Sequence, residues 1–187
     1  MGAIFATVAT ICFALAILYS FKYIDGDNRY YGFMIFTYGA LIGLDFAGNL
    51  VTMYLFFEML TLMSFPLVLQ TKTHESIMAA LKYLFYSLSG AYMGLFAIYV
   101  LIQNSSRINF QAGGMLDLEK VASHPTLVLI ACMVALIGFG VKAGMFPMHA
   151  WLPTAHPVAP APASAVLSGV IVKAGVLCII RTVFYVI

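Results

Sequence analysis

Charge is what this sequence has least of. Seven acidic and nine basic residues in 187 leave 9% charged against 63% hydrophobic, with a mean hydropathy of +1.01. Soluble domains carry about a quarter charged residues, so a globule surrounded by water is excluded and the chain reads as an integral membrane protein. The net charge of +2 is small and no basic cluster is interleaved with aromatics, which excludes nucleic acid as a partner. Cysteine is equally scarce. Cys12, Cys132 and Cys178 sit singly inside apolar runs, without the Cys or Cys/His spacing that holds zinc, haem or an iron-sulfur cluster, and they read as packing residues. Nucleotide, flavin, quinone and metal motifs are also missing, so no cofactor is expected and any redox chemistry falls to partner chains. No short tandem repeat is present. The single tryptophan, Trp151, reads with the tyrosines near span ends as an interface anchor.

What is there divides into apolar runs of membrane-crossing length, about 20 residues each. Spans are predicted over residues 3–21, 31–46, 50–69 and 77–102, with a fifth starting near Pro125 and a sixth near Pro162. The first run lacks a positively charged start and a small-residue cleavage site, so it reads as a retained span rather than a signal peptide. Gly26 breaks the first turn, Gly48 and Asn49 make a tight second one, and Thr73 to Ser76 offer caps for the fourth helix. Residues 103–124 form the longest polar segment and read as a surface loop. The expected fold is an all-α polytopic membrane bundle, one domain over 1–187. Within it, 1–47 hold two leading helices, 48–102 the next two, and 125–187 a broken helix and its successor. Lys22, Arg29 and Lys72 fall on one side and Arg107 and Lys120 on the other, which places the N-terminus outside.

A few ionisable residues lie deep in these spans, and each costs about 2.5 to 3.5 kcal/mol at a helix centre. Glu58 is near the middle of the third span, with Thr61 one turn later on its face. Lys82 opens a polar stripe with Tyr86 and Ser89, or else snorkels to the interface. Lys142 closes an apolar run and is followed by Gly144 and Pro147, so a cation and a helix break coincide. Broken backbone at that depth is tolerated only where protein encloses it or water fills a cavity. Lys173, 31 residues on, lies mid-span in the next helix, and two such amines at similar depth would repel. An amine held there can take up and release a proton, with Glu58 as the partner that decides when. His149 either joins the relay or bonds a freed carbonyl, and His156 reads as interfacial. A purely structural Glu/Lys pair pinning two helices is the bland alternative.

Three stretches carry a resemblance: FFEMLTLMSFPLVL, AALKYLFYSLSGAYM, and GFGVKAGMFPMHAWLPTAHPVAPAPASAVLSGVIVKAGVLCIIR. They resemble the antiporter-like, proton-conducting subunits of respiratory complex I, membrane-bound hydrogenases and multisubunit Na+/H+ antiporters. The K-x4-P-x-H-x-W-L-P-x-A-H core is the most specific part. The resemblance implies a bundle with two inverted repeats, each holding a broken helix, of which this chain matches one repeat and a preceding helix. It implies that Glu58 is the membrane glutamate, Lys142 the lysine at the break, Lys173 the onward relay and Lys82 a further charged position. A split, half-length subunit is expected, in a prokaryotic cell membrane, beside a second antiporter-like chain and redox or antiporter subunits, moving H+ or Na+. Rival readings are a non-conducting structural subunit, part of a stand-alone antiporter, or a substrate transporter. The Gly, Met, Phe and Ala around Lys142 argue against the last.

Overall fold

In lipid, every backbone polar group must be satisfied within its own segment, so apolar runs of this length become helices. A computed structural model describes residues 1–24 and 26–187 and shows that outcome. The helices are α1 (Gly2–Tyr23), α2 (Asn28–Asp45), α3 (Leu50–Val68), α4 (His74–Gln103), the short α5 (Leu118–Ser123), α6 (Pro125–Lys142), the short α7 (Leu152–Val158), α8 (Ala161–Val166) and α9 (Val172–Arg181). A π-helical turn, Leu167–Ile171, joins α8 to α9, and another, Thr182–Val186, follows. The helix starts have their reasons in the sequence. Asp27 caps α2 by accepting from Arg29 N, Asn49 caps α3 by accepting from Thr52 N at 2.8 Å, and Thr73 caps α4 as expected. Pro125 occupies the first position of α6, where its missing N–H is no loss.

Among the described residues, five segments are long and apolar enough to cross a membrane: α1, α3, α4, α6 and Ala161–Val186. The sixth expected span, α2, is a helix of 18 residues, but Asn28, Arg29, Thr37 and Asp45 dilute its apolar character. It packs between α1 and α3, with Tyr30, Met34, Thr37 and Leu41 buried.

The core runs as a chain of neighbours: α2 on α3, α3 on α4, α4 on α6, and α6 on α9, with α1 closing on α8. At the α4/α6 seam two backbones touch. A Cβ on Gly138 would lie 2.5 Å from the Gly90 carbonyl oxygen and 2.9 Å from Gly94 N. The α6/α9 seam is built likewise, since a Cβ on Gly175 would come 2.7 Å from the Phe139 carbonyl oxygen. Small residues that let helices approach this closely are the main attachment available where lipid removes the hydrophobic drive.

Residues 103–124 fold onto one end of the bundle. Phe110 N donates to the Gly48 carbonyl at 2.9 Å and Met115 N to that of Val186 at 3.0 Å. At the other end Gln70 donates to Asp27 across 2.7 Å, tying the first turn to the third and holding the Asp27 carboxyl below its ordinary value.

Candidate functional site

The interruption expected after Lys142 is built by a specific stop. Gly144 takes φ +71, its N–H reaches the Val141 carbonyl, and Met145 N reaches that of Gly140. This is the Schellman arrangement, which needs a residue free to adopt a left-handed backbone and so uses glycine. Phe146-Pro147 is a cis peptide, and the chain then turns through to α7.

Lys142 is thereby the last residue of α6 and is completely buried. A cation there is favoured by the negative end of the helix dipole. Its Nζ donates to Thr61 Oγ1 on α3 at 2.5 Å and lies 4.9 Å from the centre of the Phe57 ring and 5.8 Å from that of Tyr83. Thr61 passes its own hydrogen to the Phe57 carbonyl. One turn on, Ser64 Oγ shares a 2.7 Å hydrogen bond with the Tyr83 hydroxyl, and Ser87 Oγ, a turn further along α4, is buried without a partner among the described residues. Trp151 closes the chamber. Its ring centre is 5.0 Å from that of Tyr83, and its indole N–H donates to the Val141 carbonyl at 3.0 Å.

Two expectations change here. Trp151 is not an interface anchor: it is fully buried against Tyr83, and its indole N–H is a further donor to the Val141 carbonyl that Gly144 N already reaches. Glu58 makes no direct ion pair with Lys142. It is half-buried, accepts from the Tyr54 hydroxyl at 3.0 Å, and stands one residue off the buried Phe57/Thr61 face, so the threonine hydroxyl takes the amine instead.

The polar stripe expected at Lys82, Tyr86 and Ser89 lies at the edge of the bundle rather than inside it, with Tyr86 half-buried against the core. Ser89 is exposed and turns back to the Phe85 carbonyl, while half-buried Lys82 lines an open groove of about 660 Å³ with Glu75 and Thr154. The buried stripe is one residue away: Tyr83, Ser87 and Gly90. Gly90 and Gly94 were the available signal, since small residues at helical spacing mark a packed face in membranes.

Lys173 does not share the Lys142 chamber either. Helix α9 meets α6 at Gly175, whereas Lys173 is exposed and donates to the Ser168 carbonyl in the π turn. Ser168 Oγ in turn donates to the Ser164 carbonyl at 3.1 Å, and Ser164 Oγ bonds His156 Nδ1 at 2.9 Å. His156, expected to be merely interfacial, thus heads an outer polar row. His149 is exposed beside the Phe146 ring and touches neither group.

Thr61→Val leaves the Lys142 amine without its acceptor. The expected loss is about 1 to 3 kcal/mol of stability, read by thermal unfolding in detergent, with Thr61→Ser close to wild type.

The family profile described as NADH:quinone oxidoreductase/Mrp antiporter, transmembrane, matches residues 47–187. Hydrogenase-4 component B of Escherichia coli is 31% identical over 182 residues, covering 97% of this chain and 26% of the relative. NAD(P)H-quinone oxidoreductase chain 4 3 of Trichormus variabilis is 32% identical over 169 residues, 89% of this chain and 30% of the relative. A Na(+)/H(+) antiporter subunit of Bacillus subtilis is 29% identical over 171 residues, with 88% and 34% covered. The chain therefore spans about a quarter to a third of these relatives' length. Among solved structures, the Mrp complex from Dietzia sp. matches 96% of this chain and 34% of its own at TM-score 0.82 and 21% identity. An archaeal membrane-bound sulfane sulfur reductase matches 94% and 37% at 0.76 and 24%. Both show the same fold.

Proposed function

The chain belongs to the NADH:quinone oxidoreductase/Mrp antiporter transmembrane family, and on that premise we propose that it supplies part of a proton or Na+-coupled translocation path in a multi-chain energy-converting membrane complex. The observation that carries this is the Lys142 amine, wholly buried at a helix interruption and hydrogen-bonded to a hydroxyl of a neighbouring span. A buried cation is expensive, and broken helices at depth are where ion-moving proteins place their sites. An ionised Glu58 favours the ammonium, and neutralising that carboxylate lets the proton leave. Thr61, which both accepts and donates, connects the amine to the α3 backbone beside Glu58.

The onward step uses Lys173. A lysine exposed on a span cannot rest against hydrocarbon cheaply, so this face is met by further helices from outside these 187 residues, in our reading a second antiporter-like chain. His156, Ser164 and Ser168 line the same outer row. Lys82 and His149 stand outside the chamber and act from its rim. The N-terminus lies outside a prokaryotic cell membrane, since Lys22, Arg29 and Lys72 cluster at the end of the bundle tied by Asp27 and Gln70. Among hosts a redox-driven complex is favoured, and the chains that co-purify identify it.

The test is proton translocation by the whole complex in vesicles. Glu58→Gln and Lys173→Met are each expected to slow it by roughly 10²-fold with assembly intact, the scale of a lost proton-transfer group. Wild-type rates in assembled variants would leave only a structural spacer.

A further inference from the structure

One buried titratable group lies outside the Lys142 chamber altogether. Asp45 ends α2, is 1% exposed, and neither of its carboxylate oxygens has a hydrogen-bond partner among the described residues. Its position at a helix C-terminus, the negative end of the dipole, makes an ionised carboxylate still less favourable. Arg181 of α9 comes to the same place and engages the backbone instead. Its Nη1 donates to the Leu44 carbonyl at 2.7 Å and its Nη2 to the carbonyl of Asp45 itself. The carboxyl group is thus unpaired beside a cation able to pair with it.

The groups facing Asp45 can be stated element by element. From α9 come Arg181 and Cys178. From α1 comes Gly2, packed so closely that a Cβ on it would meet the Asp45 carbonyl and the Arg181 guanidinium, and from the closing π turn Tyr185 stands beside Arg181. The first turn of α3, residues 50–53, has no titratable side chain. The oxygens are covered by this chain's own atoms. What can satisfy them is a proton or a turn of Arg181, because an isolated buried carboxylate is otherwise neutralised.

We propose that Asp45 is a proton-binding site with Arg181 as its switch partner. While the guanidinium holds the α2 carbonyls, the carboxylic acid keeps its proton. When the guanidinium turns onto the carboxylate, the O–H bond breaks, the ion pair replaces it, and the proton passes to water in the adjoining crevice. Arginine suits this role because it stays charged throughout and matches a carboxylate with two prongs. The crevice is lined by Gly2, Gly48, Phe110, Arg181 and Tyr185 among others and measures about 260 Å³. That is room for several waters. The proposal needs no assumption about the Lys142 relay.

Infrared difference spectroscopy of the purified complex carrying this chain, stepped between neutral and alkaline pH, reads the acid directly. A protonated carboxylic C=O band is expected at neutral pH, lost on alkalinisation, absent in Asp45→Asn and displaced in frequency in Asp45→Glu. Asparagine has the shape of the neutral acid, so the variant is expected to assemble; should it fail, Asp45→Glu carries the same test. Arg181→Lys, without the two-pronged donor, is expected to move the pH at which the band disappears. A wild-type complex without the band, a band unchanged by both Asp45 variants, or an unaltered titration in Arg181→Lys overturns the proposal.

Discussion

Replacing Lys142 with methionine is expected to abolish ion translocation while leaving the bundle as stable as before or more so. Methionine fills much of the space of a lysine stem without its charge, and replacing a buried charge by apolar side chains of similar volume is often neutral or stabilising by about 1 to 4 kcal/mol. The threonine is not orphaned by the change, because Thr61 still donates to the Phe57 carbonyl. Translocation should nevertheless fall by roughly 10²-fold or more, the loss of a group that takes and gives a proton. Lys142→Arg separates charge from titration. It preserves the cation but releases no proton in the accessible range, so it too should fail. The two measurements, thermal unfolding of the solubilised complex and proton uptake by vesicles, move apart if the amine is a relay. Wild-type uptake by Lys142→Met would sink the assignment.

Gly138→Val is expected to do the reverse, destroying assembly first. A Cβ there lies 2.5 Å from the Gly90 carbonyl oxygen, a backbone atom that cannot rotate aside. Overpacking of this kind typically costs about 1 to 3 kcal/mol and here should reach or exceed the upper figure, since both contacting atoms belong to helices. Gly39→Ala is the control. A Cβ at Gly39 meets nothing within 4 Å, so the helix should gain about 0.5 to 1 kcal/mol of backbone entropy. Cell-membrane yield and unfolding midpoint check both. Comparable behaviour of the two variants would mean the α4/α6 contact is not the close one described.

Along the chain axis much was legible. Apolar run lengths located five of the six expected spans, Thr73 marked a cap, and Gly144 with Pro147 marked the break, because each depends on local chemistry. Around the helix axis far less was. In water the buried face of a helix is the apolar one, but a span is apolar on every side, so Lys82, Tyr86 and Ser89 looked as good a stripe as Tyr83, Ser87 and Gly90. The outward turn of Lys173 and the inward turn of Trp151 had a similar cause: each side chain bonds a backbone carbonyl at a π turn or a helix stop, and no side-chain pattern records where those fall. Arg181 and Asp45 sat near predicted span ends, where polar residues are ordinary, and only the tertiary contact of α9 with α2 sets them apart.

The indole of Trp151 has a consequence for hydration. It answers the carbonyl of Val141, the residue that immediately precedes the buried lysine at the stub of α6. The Gly144 amide shares that carbonyl, so what the indole chiefly adds is cover, its ring packing on Tyr83 beside the amine. A motion of the segment after Gly144 that lifts the ring would uncover the amine, and on the proposed relay opening and proton exchange would then be one event.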